Sequence, residues 1–465
     1  MPHLLRAYKD NSALVGQEPY YHLRAAEQIL GQSSVDDPFV DDIFISPYDC
    51  LVAFFLMIGL EGIILSRLLP FMIGMLFMFF VCLNLRRADS DNLKLVLFAV
   101  CILLSPGLIF IFSFSNALSL ALLLSAIGLY CFSSPSRAVN YLSVICISVL
   151  AFFNIAYASI MLMIFFVHMI RQRRGHLVFL LSLLVSLMIF HLFSIHVYLQ
   201  YNQVSMLSSA SVLSQLVSDF GSFKGFGIYN LILAVIGLFV SWKDKFRYIW
   251  AYVLLFFLIF YYPSTGMDLL IPAGIIIAIF AGLGLNSLVR LDWQISKIRD
   301  LTIIIVFCGL IFSSFSLVNR VSSFYPDDDY VEASSFLSGS GVVLSHFSNA
   351  HIIGYYSGLP VLPDPLIAYG GSDADAIYHD IDTIFSSSDL DDTKRMLYKY
   401  DVKYIFIDSR MDQGLVWEKE NQGLRFLFRN DETFSRVFAN DGIEIWEVLD
   451  ARPEWVGFEL IDDES

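Results

Sequence analysis

Long apolar segments recur through the middle of the chain, and short polar links separate them. Because an α-helix rises about 1.5 Å per residue, a helix that crosses a bilayer core of about 30 Å needs about 20 apolar residues. The hydropathy pattern therefore predicts about ten membrane-spanning helices. Their predicted bounds are 68–85, 93–112, 116–133, 139–152, 155–170, 177–200, 227–242, 247–262, 268–289 and 301–320.

Two apolar segments need separate interpretation. The run 51–60 is too short to cross a bilayer, so we predict that it is interfacial or re-entrant. Residues 139–170 also fit a single long helix broken near Phe153 and Asn154, and this alternative would change the topology of everything that follows.

Basic residues favour ten spans, because cytoplasmic loops are enriched in lysine and arginine. They occur at every second link, at Arg86 and Arg87, Arg137, Arg171 with Arg173 and Arg174, Lys243 with Lys245 and Arg247, and Arg290 with Lys297 and Arg299. The N-terminal segment and the C-terminal tail then share the outer side of the cell membrane. An outer N-terminus without a preceding span predicts that the natural start lies upstream and includes another helix. Translocation of the short acidic head is the alternative.

The polar tail predicts a small α/β domain. Residues 341–344, 402–407 and 443–448 have the pattern of strands, and 373–385 and 391–400 have the spacing of helices. At about 140 residues, the tail is large enough to bury its own core. We therefore predict three parts, which are an outer loop with amphipathic or interfacial helices (1–67), a transmembrane domain (68–320) and an extracytoplasmic α/β domain (321–465).

Composition supports a polytopic membrane protein. Hydrophobic residues make up 57% of the chain and charged residues 16%, against about 45–50% and about 25% in soluble globular domains. The net charge is -15, and the acids concentrate in 1–49 and 321–465, which argues against nucleic acid as a partner. The six cysteines lie in or beside apolar runs without a close pair, which argues against a disulfide framework or a zinc site.

A dense group of polar side chains, at residues 16–24, precedes the first span. We predict a short helix over about 20–30, and if it begins by Glu18, then Glu18 and His22 share a face. A carboxylate here can take a proton from an acceptor hydroxyl or amide, or hold a divalent cation against a phosphate. Arg24 or Lys224 can supply a cation for that phosphate.

Structural roles compete with these functional ones. Glu18 also fits a simple acid at a helix N-terminus, where a carboxylate is favoured electrostatically. Tyr20 and Tyr21 fit an aromatic belt at the membrane interface as well as substrate stacking. The acidic loop before the run 51–60 has the character of a solvated segment, with Asp36, Asp37, Asp41 and Asp42.

The stretch Gln17-Glu18-Pro19-Tyr20-Tyr21-His22-Leu23-Arg24 resembles the first outer-loop signature of type-C glycosyltransferases. It is most similar to the archaeal catalytic subunits of oligosaccharyltransferase, in which an acid precedes Pro-Tyr-Tyr-His-Leu-Arg. Weaker matches follow in order, at 66–70, Arg86 with Arg87, Ser105 with Pro106, and 352–361.

The resemblance implies that Glu18 is a catalytic base or a metal ligand, with Mg²⁺ or Mn²⁺ as the metal and protein glycosylation as the process. Two motifs of the family differ in this chain. The acceptor motif Trp-Trp-Asp-Tyr-Gly is replaced by residues 345–350, and the second acidic pair expected near 113–116 is absent.

We therefore predict a membrane glycosyltransferase that uses a polyprenyl-linked sugar donor and membrane lipids. The candidate catalytic residues are Glu18, His22 and Arg24, and the candidate substrate-binding residues are Tyr20, Tyr21, Asp219, Lys224, His346, His351 and Asp364. A non-catalytic relative, acting as an assembly or lipid-binding subunit, is the first alternative. A transporter or flippase is the second, but it requires paired ionisable residues within spans, and the spans are nearly free of charge.

Overall fold

The computed structural model describes most of the chain. The described residues are 2–9, 11–32, 46–88, 91–153, 155–172, 176–189, 191, 214, 216–244, 248–249, 251–256, 258, 269–365, 374–419 and 421–449. The predicted solvated loop with Asp36, Asp37, Asp41 and Asp42 lies outside them.

Helices make up most of the described structure as far as residue 357. They are α1 (Pro2–Tyr8), α2 (Glu18–Ile29), α3 (Pro47–Met57), α4 (Gly62–Ala88), α5 (Asn92–Leu103), α6 (Pro106–Ile111), α7 (Ala117–Phe132), α8 (Arg137–Phe153), α9 (Ile155–Gln172), α10 (His176–Ile189), α11 (Ile228–Ser241), α12 (Leu270–Arg290), α13 (Ser296–Ser322), α14 (Asp328–Phe336) and α15 (Ala350–Ser357). Three of the described helices are long and apolar enough to cross a membrane, over Gly62–Arg87, Leu270–Arg290 and Ser296–Ser322. The count of about ten spans stays a prediction.

The chain reverses direction between α8 and α9. Phe132, the last residue of α7, stacks on Phe165 of α9 with 4.0 Å between ring centroids. Ser133 Oγ lies 3.4 Å from Nε2 of His168, also in α9. Because α8 begins shortly after Ser133, the later part of α9 lies beside the start of α8. The alternative of one long helix over 139–170 is therefore wrong.

Helices α11 and α12 are in direct backbone contact at two glycines. A Cβ atom at Gly237 would lie 1.9 Å from the carbonyl oxygen of Phe280, and one at Gly284 would lie 2.0 Å from that of Leu233. Small residues permit this close approach of apolar helices. The two helices therefore pack in a way that depends on both glycines.

We expect Gly284→Ala to lower the free energy of unfolding by about 1–3 kcal/mol, because the new methyl group must displace a carbonyl. The matched control is Gly274→Ala in the same helix, where a Cβ atom would meet Phe226 at an ordinary 3.7 Å. Alanine favours a helix over glycine by about 1 kcal/mol, so the control variant should be neutral or slightly more stable. Thermal unfolding in detergent measures both, and equal midpoints for the two variants would contradict the close contact.

The tail forms a five-stranded sheet. Its strands are β1 (Val342–Leu344), β2 (Val361–Leu362), β3 (Val402–Asp408), β4 (Phe434–Asn440) and β5 (Ile443–Val448). The order is β2-β1-β3-β5-β4, with β1 parallel to β2 and β3, and β5 antiparallel to β3 and β4. The predicted strands at 341–344, 402–407 and 443–448 are confirmed, as are the predicted helices, observed as α16 (Ala374–Ser386) and α17 (Leu390–Lys399).

The parallel arrangement of β1 and β3 brings two polar segments together. Carboxyl ends of parallel strands open at the same edge of a sheet, so the segment after β1 meets the end of β3. There Asp408 accepts hydrogen bonds from Asn349 (3.1 Å), from Tyr330 and from Arg410. Burial alone would raise the pKa of Asp408, but the charge of Arg410 and these hydrogen bonds lower it. Through Asn349, the turn at residues 346–349 is therefore tied to the end of β3.

The N-terminal segment is tied to the start of the tail. The buried Arg6 guanidinium donates to the carbonyl oxygens of Phe324 (2.5 Å) and Pro326. The N–H of Gly16 donates to the carbonyl of Tyr325 at 2.8 Å. These bonds place the residues before α2 against the link between α13 and α14.

Candidate functional site

Helix α2 carries the polar stretch singled out in the sequence. It begins at Glu18, earlier than predicted, because Pro19 is tolerated in a first turn, where its missing N–H breaks no helical bond. It ends at Ile29, shortly before Gly31, whose positive φ of 67° suits the turn out of a helix. Most of α2 is buried, including His22 and Arg24.

The carboxylate of Glu18 contacts the start of α7. Nδ2 of Asn116 donates to Oε2 of Glu18 at 2.8 Å, across 98 residues of sequence. Oδ1 of Asn116 accepts from the N–H of Leu118 at 2.7 Å and so caps α7. Because the cap fixes which end of the amide is oxygen, the N–H end must face Glu18. Asn116 therefore occupies the region where the family resemblance implied an acid, and it orients the Glu18 carboxylate.

Helix α3 adds two side chains to this group. The hydroxyl of Tyr48 lies 2.8 Å from Oγ of Ser115, next to Asn116. The ring of His22 lies on Tyr48, with 4.7 Å between centroids. Asp49 accepts from Nδ1 of His22 at 2.5 Å. Hydrogen bonds thus join the polar side chains of α2 to residues at the starts of α3 and α7.

Sequence reasoning did not include these partners, which are Tyr48, Asp49, Ser115 and Asn116. One signal was present for Asp49, because Ser46-Pro47-Tyr48-Asp49 has the spacing of a capping box. The structure has that box, with Ser46 and Asp49 bonded reciprocally. Asparagine at a helix N-cap is likewise a readable signal for Asn116, but its contact with Glu18 depends on the packing of distant segments.

The two tyrosines of α2 face the tail. The ring of Tyr20 lies 5.5 Å from those of Tyr355 and Tyr356, and its hydroxyl accepts from the N–H of Leu14 at 2.9 Å. The ring of Tyr21 lies 5.2 Å from that of His351. Tyr20 is fully buried, so an aromatic belt at a lipid interface does not describe it.

Arg24 joins α2 to the tail through a buried ion pair. Its Nη1 donates to Oδ2 of Asp364 at 3.1 Å and lies 3.3 Å from Nδ1 of His351. The guanidinium crosses α15 at Gly354, where a Cβ atom would lie 2.9 Å from Nη1. The structure thus brings together three predicted site residues, Arg24, His351 and Asp364. The contacts of Arg24 connect α2 to the C-terminal tail. Its role as a cation for phosphate stays a prediction.

His346 lies close to the N-terminus of α2. Its Nδ1 is 2.8 Å from Oγ of Ser348. With its NH₂ end towards the tail, the Gln17 amide donates to the carbonyl oxygens of Ser348 (3.0 Å) and Phe347 (3.1 Å). The turn at residues 346–349 therefore packs against Gln17, the residue before Glu18.

Asp219 and Lys224 belong to the segment before α11. Oδ2 of Asp219 accepts from the N–H of Ile228 at 2.8 Å and from Oγ of Ser313 at 2.9 Å. Asp219 therefore holds the start of α11 against α13. The carbonyl of Lys224 packs against Gly107 in α6. Substrate binding by either residue stays a prediction.

No group of three or more His, Cys, Asp or Glu side chains converges within the described part of the chain. Magnesium is commonly held by one or two carboxylates together with water and substrate phosphates, so Glu18 fits as a single protein ligand. Asn116 turns its N–H rather than its oxygen towards Glu18 and so adds no second ligand there. Binding of Mg²⁺ or Mn²⁺ stays a prediction.

His351 makes stability sensitive to acid. Burial, and the nearby positive charge of Arg24, lower the pKa of His351 to about 4 although Asp364 raises it. The unfolded chain, with an ordinary histidine pKa near 6.5, binds the proton more readily, so stability falls as pH drops from about 6.5 to about 4. We expect His351 to account for about 3 kcal/mol across that window. His351→Gln should flatten the pH dependence of the unfolding midpoint.

His379→Gln is the control for this prediction, because His379 is exposed on α16. Some acid sensitivity should remain in His351→Gln, since burial also lowers the pKa of His346 to about 4. A His351→Gln variant whose midpoint changes with pH as steeply as that of the wild type would refute the assignment.

The fold of this chain is similar to that of solved type-C glycosyltransferases. The first particular match is the oligosaccharyltransferase of Archaeoglobus fulgidus in its apo form, with a TM-score of 0.56 and 14% identity over 86% of this chain and 66% of that one. For the same enzyme in complex with Zn and sulfate, the TM-score is 0.56 and the identity 14%, and the match covers 91% of this chain and 68% of that one. For the arabinofuranosyltransferase AftD from Mycobacteria, the TM-score is 0.53 and the identity 12%, and the match covers 95% of this chain and 40% of that one.

A further structure of the archaeal enzyme, AglB with an inhibitory peptide and a dolichol-phosphate, has a TM-score of 0.53 and 12% identity. This chain spans about two thirds of the length of the archaeal enzyme. No family model and no curated protein matches the sequence. The similarity is therefore one of fold, and the type-C resemblance found in residues 17–24 agrees with it.

Proposed function

We propose that the protein is a membrane glycosyltransferase that moves a sugar or glycan from a polyprenyl-phosphate or polyprenyl-diphosphate carrier to an acceptor on the outer face of the membrane. The observation that carries the proposal is the Glu18 carboxylate, oriented by Asn116 where α2 meets both the helical bundle and the tail. The fold supports the class of reaction, and the dolichol-phosphate bound to AglB supports a lipid-linked donor.

In the proposed reaction, Glu18 takes the proton of the acceptor hydroxyl or amide. The acceptor atom then forms a bond to the anomeric carbon of the sugar. The bond between that carbon and the carrier oxygen breaks, and the phosphate leaves with the electron pair. A positioned carboxylate suits this role because it removes the proton as the new bond forms.

The tail contributes residues to the proposed site. Tyr21, His351 and the turn at His346 lie against α2, which supports their proposed role in binding the acceptor or the sugar. Residues 345–350 differ from the motif that selects a protein sequon, so the proposal does not specify the acceptor. Dependence on Mg²⁺ or Mn²⁺ is tested by transfer in the presence of a chelator.

A transfer assay tests the proposal. Membranes that contain the protein are supplied with radiolabelled polyprenyl-phosphate and polyprenyl-diphosphate sugars, and the label is followed from the lipid to the aqueous or acceptor fraction. We expect loss of label from the lipid only when the protein is present. Retention of label on every donor would contradict the proposal.

A non-catalytic relative is the second candidate, favoured by two departures from the family's motifs. Residues 345–350 replace the acceptor motif, and Asn116 stands in the region where the family places an acid. If that reading is correct, the protein should consume no lipid-linked sugar and should purify in a stable complex with another protein.

A further inference from the structure

Asp49 uses both of its carboxylate oxygens inside the protein. Oδ2 accepts from the backbone N–H and the hydroxyl of Ser46, each at 2.7 Å. Oδ1 lies 2.5 Å from Nδ1 of His22. Asp49 is fully buried, and His22 is 2% exposed. The carboxylate therefore connects the cap of α3 to a buried imidazole on α2.

This contact determines which nitrogen of His22 carries the proton. A carboxylate accepts hydrogen bonds and does not donate them, so Nδ1 must be the protonated nitrogen. In the neutral ring, Nε2 then bears a lone pair. That atom is buried and has no hydrogen-bond partner among the described residues. A buried acceptor without a partner is unusual, because its desolvation is uncompensated.

We propose that Asp49 is a positioning residue that holds His22 as the Nδ1–H tautomer, so that Nε2 accepts a hydrogen bond from a hydroxyl of the bound substrate. The inference rests on the proposed function, since the hydroxyl is that of the sugar or of its acceptor. His22 lies one helical turn after Glu18 on the same face of α2. The imidazole and the carboxylate therefore leave α2 on the same side.

Asp49→Asn tests the proposal with little change in shape. The backbone N–H of Ser46 is a fixed donor, so the asparagine must turn its oxygen towards Ser46. Its NH₂ group then faces Nδ1 of His22, which must become the acceptor. The proton moves to Nε2, and the substrate hydroxyl loses its acceptor. The variant therefore reverses the tautomer while keeping the helix cap.

The first readout does not depend on activity. In protein labelled with ¹⁵N-histidine, the His22 signals are assigned by their loss in His22→Gln. We expect a protonated Nδ1 and an unprotonated Nε2 in the wild type, and the reverse in Asp49→Asn. A wild-type His22 with its proton on Nε2 would overturn the proposal.

The second readout is the transfer assay. We expect kcat to fall by about 10- to 100-fold in Asp49→Asn, by analogy with the loss seen when a residue that orients a metal-bound histidine is replaced. The matched control is Ser46→Ala, which removes one donor to Oδ2 and leaves the contact between Asp49 and His22, and it should keep wild-type kcat. A reversed tautomer with unchanged kcat would also overturn the proposal. If the tautomer is as expected but the wild type transfers no sugar, the positioning of His22 stands and the proposed function fails.

Discussion

Glu18→Gln should reduce sugar transfer by about 10²- to 10⁴-fold, the contribution of a positioned proton acceptor. Glutamine has nearly the same shape as glutamate, and its side-chain oxygen can still accept from Nδ2 of Asn116. The variant therefore keeps the contact that joins α2 to α7 and removes only the negative charge. The transfer assay with a lipid-linked donor measures the effect, and the unfolding midpoint should stay near that of the wild type.

Glu27→Gln is the matched control. Glu27 lies on the same helix, nine residues after Glu18 and so about two and a half turns further, on the opposite face. This substitution should leave transfer unchanged. Full activity of Glu18→Gln would remove Glu18 from the mechanism, while equal losses in both variants would point to a general defect of α2.

Asp364→Asn should lower the free energy of unfolding by about 3–5 kcal/mol, because it removes a buried negative charge that accepts a hydrogen bond from the buried Arg24 guanidinium. The side chains of Arg24 and Asp364 are 7% and 0% exposed. The double variant Arg24→Gln/Asp364→Asn should be less destabilised than the sum of the single variants, since each single variant already loses the interaction between these two charges. Thermal unfolding of the four proteins in detergent measures this coupling.

Asp300→Asn controls for the loss of an ion pair as such. Asp300 pairs with Arg299 at 2.9 Å, but these side chains are 59% and 41% exposed. Exposed pairs contribute about 0–1 kcal/mol, so this variant should unfold near the wild-type midpoint. Similar midpoints for Asp364→Asn and Asp300→Asn would show that the tail is not held to α2 through Arg24.

Local patterns were enough to predict most elements near the site. Helix formation in α2 agrees with Pro19, which suits a first helical turn, and β3 and β5 follow from runs of β-branched and alternating residues. The strands β2 and β4 were not predicted. The two residues of β2 are too few for any periodic signal, and β4, Phe434–Asn440, has an irregular register against β5.

The amino-acid sequence by itself determined the class of chain, a helix over about residues 20–30 and the choice of Glu18 and His22 as candidates, because hydropathy and helical spacing are local properties. Only the tertiary structure decided their partners. Asn116 reaches Glu18 across 98 residues, Asp49 reaches His22 across 27, and Asp364 reaches Arg24 across 340. Contacts over such separations depend on how helices and sheet pack, and no pattern in one segment encodes them.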